Sequence, residues 1–258
     1  MSSHRFVTVD AETAVIDEGV RAIAEIRDRV ESRKGIRIPL VWFVRFQRGW
    51  TESVEGDSAE AFEQAPSDGY DGFALAHDAL VALLDRGDEV GWHYHAYNYV
   101  HRDDLSHAMK LAILRADLAS CAAELRRRHP EFPVASFRFG WMFVPDYDIY
   151  PHLRSLGLTR DASIDPKLAG RCVTESSSRF LEPLVTEPAR IDGMALFPRE
   201  RTVLTHDWQV VAHDFGWSRL GEREALARRR DLESELTAAA AELKANGGEF
   251  LTYEAARV

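Results

Sequence analysis

The chain has 258 residues, 45% of them hydrophobic and 10% aromatic, enough to bury a sizeable core in one large domain. Its formal net charge is −10 and its pI about 5.5. Such a balance repels phosphate backbones and anionic membranes, so nucleic acid and membrane surface are not expected partners. Two cysteines, Cys121 and Cys172, make neither a disulfide framework nor a cysteine-type zinc pattern. The N-terminal "MSSHRFVTVDAE" has no apolar signal region, and the expected location is cytoplasmic.

In chain order, short β-type runs alternate with helical patterns. The sequence predicts a strand over 4–10, a helix over 17–35 closed by Gly35, and a strand over 36–46 rich in branched and aromatic residues. An acidic loop fills 47–72. A helix over 73–88 and a strand over 89–97 follow, then a long helix over 103–129 stopped by Pro130. A strand is expected over 133–141, a short helix over 146–157, and a strand and turn over 158–165. Residues 166–201 read as irregular. At least one strand lies within 202–215, a helix over 222–248, and a last strand and tail over 249–256. Alternation of this kind implies parallel pairing with right-handed crossovers. The first strand ends "VDAET", with no glycine-rich turn of the doubly wound type. The expectation is therefore an α/β fold, a distorted (β/α) barrel of about seven parallel strands, in a single catalytic domain over 1–258.

Barrel enzymes draw their active groups from the C-terminal ends of strands. Asp10 and Glu12 end the first strand, two residues apart and so on one side if the chain stays extended. A helix cap is the competing reading for "DAE". His93 and His95 end the strand at 89–97, again on one side, in a spacing suited to Zn²⁺, Fe²⁺, Co²⁺ or Ni²⁺. His101 falls in loop and reads as surface. Arg138, in "SFRFGW", needs a carboxylate partner if buried, with Asp10 a candidate, and Gly140 beside it would let the backbone approach a ligand closely. Asp161 in "TRDASID" and His213 in "VVAHDF" end further strands, and His206 in "LTHDWQ" rivals His213 as a general acid. Trp50, Trp92, Trp141, Trp208 and Trp217 stand near loops or strand ends, where sugar stacking competes with core packing. Arg160, Arg171 and Arg201 could bind phosphate or carboxylate.

The ordered series "TVDAE", "GDEVGWHYHAYN", "SFRFGW", "LGLTRDASID" and "VVAHDFGW" resembles the polysaccharide deacetylase (NodB-homology, carbohydrate esterase 4) superfamily over most of the chain. The resemblance implies a distorted (β/α) barrel and metal-dependent removal of an acyl group, N-acetyl above all. Asp10 looks like the catalytic base, Arg138 like the arginine that holds it, His213 like the catalytic histidine and Asp161 like the acid supporting that histidine. Glu12, His93 and His95 would hold one divalent ion, zinc first, with cobalt, nickel or iron as alternatives. The sequence departs from the family at Ala11, where many members place the metal-binding aspartate, and at Tyr97, where the second histidine usually stands. The substrate implied is a small molecule or oligosaccharide: an amino sugar, nucleotide-sugar or glycan precursor. Two other readings stay open, a catalytically inactive barrel that binds a ligand or partner, and an amidohydrolase acting on a non-sugar C–N bond.

Overall fold

The structure is a computed structural model that describes residues 4–48, 69–95, 105–140, 148–163, 189–191, 193–197, 202–215 and 218–256. In chain order these form β1 (His4–Ala11), α1 (Ile16–Lys34), β2 (Val41–Arg48), β3 (Gly69–Asp71), α2 (Gly72–Leu75), α3 (His77–Asp85), β4 (Glu89–Tyr94), α4 (His107–Arg128), β5 (Ser136–Phe139), α5 (Ile149–Ser155), β6 (Arg160–Asp161), β7 (Ala189–Ile191), β8 (Met194–Leu196), β9 (Thr202–His206), a 3₁₀ turn (Asp207–Val210), β10 (His213–Asp214), β11 (Arg219–Leu220), α6 (Glu222–Ala245) and β12 (Glu249–Phe250). The fold class is the expected one, a distorted α/β barrel of parallel strands. No helix among the described residues is long and apolar enough to cross a membrane. The chain divides into two compact units.

The first unit comprises Met1–Arg45, Asp71–Val90 and Arg201–Arg257. Its central strand is β1, which pairs in parallel with β12 at its start, with β2 along one edge and with β9 along the other. A strand paired on both sides reads as a continuous buried run, and Phe6 through Ala11 are all buried. Helix α1 covers it with Val20, Ile23, Ile26 and Val30. Asp17 and Glu18 in its first turn and Arg33 and Lys34 in its last complement the helix dipole. Gly35 closes it at φ 59°, with its N–H donating to the Glu31 carbonyl, a left-handed position that favours glycine.

The same helix carries a buried charge. Arg27 is 1% exposed. Its Nη1 donates to both oxygens of Asp88, at 2.8 and 3.0 Å, and its Nε to Asp28 at 2.7 Å. Asp88 also accepts from the Leu40 backbone N–H at 3.2 Å and from Trp42 Nε1 at 2.9 Å. Both oxygens of the buried Asp88 are thus hydrogen-bonded, the condition under which a buried pair is tolerated.

The second unit comprises Phe46–Tyr70 and Gly91–Glu200, with Val258. Within it the end of β4 pairs in parallel with β5, β5 with β6, and β6 with β8. Aromatic side chains fill the first of these ladders, with Trp92 edge-on to Phe137 at 5.3 Å and Phe137 edge-on to Phe139 at 4.7 Å. Trp92 is fully buried and donates its indole N–H to the Phe46 carbonyl at 2.8 Å, so it is a core residue and no sugar platform. Helix α4 is capped by Ser106, whose Oγ accepts from the Met109 N–H at 3.3 Å.

Several element boundaries differ from expectation. The strand expected at 36–46 spans 41–48. The helix expected at 73–88 divides at Ala76 into α2 and α3. Asp71 accepts the Ala74 N–H and starts α2 early, and a Cβ on Gly72 would lie 2.9 Å from the Arg45 carbonyl oxygen, so close contact fixes that turn. The stretch 166–201 was expected to be irregular, yet it contains the antiparallel hairpin of β7 and β8. Its turn holds Gly193 at φ 78°, and Asp-Gly at 192–193 is the sequence signal for it. Calls for a role at Trp50, Tyr97, His101, Trp141, Arg171, Cys172, Arg201 and Trp217 lie outside the described residues.

Candidate functional site

In the first unit, β1 delivers two carboxylates. Asp10 is on the strand and 4% exposed, and Glu12 stands just past its end. The neighbouring strand β9 runs parallel, and its last residue, His206, is the register partner of Asp10. His206 Nε2 lies 3.7 Å from Asp10 Oδ2 and 3.8 Å from Glu12 Oε1. Pairing register therefore places one imidazole beside both carboxylates. The chain around His206 is held by Gln209, whose Oε1 accepts from the His206 backbone N–H at 3.2 Å and from Thr205 Oγ1 at 3.3 Å.

Asp207, next in the chain, is fully buried. Its Oδ1 accepts from the Glu12 N–H at 3.2 Å, and its Oδ2 from the Thr13 N–H at 3.1 Å and the Thr13 hydroxyl at 2.6 Å. Burial pushes its pKa up to about 6; the Thr13 hydroxyl pulls against that rise, and the Glu12 charge adds to it. Neither Asp207 nor the glycine it packs on, Gly19, stands out in the sequence. The available signal is that an acid directly follows a histidine at a strand end.

His213, on β10, has both ring nitrogens engaged. Nδ1 lies 3.0 Å from the Val211 carbonyl, which it donates to, and Nε2 lies 3.1 Å from Ser218 Oγ. Its ring stacks on Phe215 at 4.2 Å. Trp208 has its ring centroid 5.4 Å from that of His206 and 5.9 Å from that of His213.

In the second unit, β4 ends at Tyr94, with His93 buried within it and His95 just beyond. The two imidazoles meet edge to face, with Nε2 3.0 Å from Nε2. Two ligands about 2.0–2.1 Å from one zinc ion, at angles between a right angle and tetrahedral, would stand about 2.8–3.4 Å apart. The pair thus fits a shared divalent ion. Two local contacts hold His95: Gln47 Nε2 donates to its carbonyl at 3.2 Å, and its ring fills the space above Gly140. A Cβ at Gly140 would lie 2.5 Å from the His95 ring. The close approach expected at Gly140 is therefore to a histidine of the same unit.

Arg138 is the register partner of His93. It is 1% exposed and donates from Nε to the Ala162 carbonyl at 3.1 Å. Asp161 ends β6, fully buried, and accepts from Tyr150 Oη at 2.8 Å, from the Ser163 N–H at 3.1 Å and from the Ser163 hydroxyl. Burial raises its pKa against these hydrogen bonds and the Arg138 charge. Arg160 Nε donates to Ser136 Oγ at 2.9 Å.

No family model and no curated protein matches the chain. Among solved structures it is similar to a family 4 carbohydrate esterase from Streptomyces lividans in complex with acetate, at 12% identity and TM-score 0.42, over 92% of this chain and 90% of that one. It is also similar to a Mycobacterium smegmatis protein whose name assigns it to the polysaccharide deacetylases, at 14% identity and TM-score 0.46, over 96% of this chain and 75% of that one.

Proposed function

We propose that the chain is a metal-dependent hydrolase that removes an acyl group, N-acetyl above all, from an amino sugar, nucleotide-sugar or glycan precursor, both units serving one catalytic domain. The observation that carries this reading is the His93–His95 pair, whose Nε2 atoms stand 3.0 Å apart at a strand end. It is supported by the motif order in the sequence, in which Glu12 ends another strand as the candidate carboxylate ligand.

In this reading Glu12, His93 and His95 hold one divalent ion, which when bound polarises the acyl carbonyl and lowers the pKa of water. Asp10 takes the proton of the attacking water. Arg138 takes the role of the arginine that orients Asp10, as the motif order in the sequence implies. A histidine then protonates the leaving amine, so that acetate and the free amine are the products. Of the two candidates, His206 is favoured, because its Nε2 already stands beside Asp10 and Glu12, whereas both nitrogens of His213 are engaged locally.

The test is elemental analysis of protein purified without added metal, followed by acetate release from a panel of N-acetyl sugars. One divalent ion per chain, lost in His93→Ala and in Glu12→Ala, is expected together with turnover that the metal-free protein lacks. A chain with no affinity for zinc, cobalt or nickel would overturn the reading. Acetate release from small non-sugar amides alone would replace the sugar substrate with an amide.

A further inference from the structure

We infer that Asp207 is a positioning residue for the proposed metal ligand Glu12, an inference that rests on the metal reading above. Strand β1 ends at Ala11, so the next two backbone N–H groups have passed beyond its ladder. Buried N–H groups require acceptors, and one carboxylate supplies them: Asp207 takes the Glu12 N–H on Oδ1 and the Thr13 N–H and hydroxyl on Oδ2. These three bonds fix the backbone on both sides of the Glu12 Cα, and with it the direction in which the Glu12 side chain leaves the strand end. Asp207 is also bonded in sequence to His206, whose imidazole stands beside Asp10 and Glu12. One residue thus ties the end of β9 to the turn that follows β1.

The neighbouring helix is shaped to admit this clamp. A Cβ on Gly19 of α1 would lie 2.6 Å from the Asp207 carbonyl oxygen and 2.7 Å from its Cβ. Any larger residue at 19 would push the clamp away from Glu12. Groups that orient a ligand in this way are worth about 10–100-fold in metal affinity.

The experiment titrates Zn²⁺, and separately Co²⁺, into the metal-free full chain and its variants, reading dissociation constants by calorimetry and the Co²⁺ absorption spectrum. Asp207→Asn is expected to weaken binding about 10–100-fold and to alter the Co²⁺ spectrum. Thr13→Val, which deletes one of the three bonds, should weaken it less, and Thr13→Ser, which keeps the hydroxyl, should restore wild-type affinity. Val30→Ala, a cavity toward the far end of α1, eleven residues from Gly19, serves as a destabilised control and should bind as the wild type does. If Asp207→Asn does not fold, the Thr13→Val and Thr13→Ser pair decides. Wild-type affinity and spectrum in both Asp207→Asn and Thr13→Val would overturn the positioning role while leaving the metal site standing. Failure of the wild type itself to bind either ion would instead overturn the metal reading on which this role depends.

Discussion

His206 of β9 is the register partner of Asp10 of β1, and its Nε2 stands 3.7 Å from the Asp10 carboxylate. Parallel pairing therefore sets an acid and an imidazole side by side at the end of the first unit's central strand. A general acid must donate to the leaving group, so its loss should matter most when that group is a poor one. His206→Asn is expected to lower kcat on an N-acetyl sugar by about 10²–10⁴-fold and to lose far less on an aryl acetate, whose leaving group needs no proton. His213→Asn should cost less than tenfold on either substrate. Steady-state kinetics on the two substrates check this, and the opposite ranking would return the role to His213.

A second prediction concerns Gly140. Its backbone lies against the His95 ring, where a Cβ would sit 2.5 Å away. Because Gly140 follows β5, a buried strand paired on both sides, the ring is the part expected to move. Gly140→Ala should therefore displace His95 Nε2 from its 3.0 Å spacing to His93 and weaken Zn²⁺ binding by one to two orders of magnitude, about what a lost supporting contact costs. Thermal unfolding of the metal-free protein should change little by comparison. Unaltered zinc affinity would mean that His95 is not a ligand.

Much of this was legible in the sequence because the signals are local. Strand alternation predicted that His93 and His95 face one way, and their Nε2 atoms do meet. The helix over 17–35 announced itself by its apolar spacing and terminal glycine. Other features depended on which strand lies beside which. That His206 stands at Asp10 follows from the pairing of β1 with β9, nearly two hundred residues apart in the chain, which no local pattern encodes. Nothing local marks Asp207 in the sequence, and only tertiary contact reveals it as a buried acceptor for Glu12 and Thr13. The β7–β8 hairpin was missed because three-residue strands fall below the length at which alternation can be read.

A third prediction follows from the raised pKa of Asp207. Burial holds it at about 6, above the ordinary aspartate value of 3.8. The folded state therefore binds this proton more tightly than the unfolded state does. Its contribution to stability is fully present below about pH 4 and is lost as pH rises through about 6. Between pH 4.5 and 7.5 the loss comes to about 2 kcal/mol, at 1.36 kcal/mol per pKa unit. Asp207→Asn lacks this proton, so the stability of the wild type relative to the variant should fall by about that amount across the interval. Urea unfolding of both proteins in chelator at the two pH values measures it. A difference independent of pH would show that Asp207 is already ionised at pH 4.5.

The fourth prediction separates stability from chemistry within the first unit. Arg27 and Asp88 are both almost fully buried, and Asp88 also carries the Leu40 N–H and the Trp42 indole. Removing one partner strands the other charge without solvent. Asp88→Leu and Arg27→Met should each cost about 3–5 kcal/mol. Removing both leaves no charge to strand, so Arg27→Met with Asp88→Leu should cost clearly less than the two single losses added together. The Asp88→Leu variant still deprives Trp42 and Leu40 of their acceptor, which keeps the double variant below the wild type by about 1–3 kcal/mol. A double-mutant cycle by urea unfolding reads the coupling directly. Additive losses would show that the two groups do not act as an ion pair, whatever their 2.8 Å separation. Zinc affinity in the folded fraction should stay unchanged throughout, since neither residue touches the histidine pair or the carboxylates of β1.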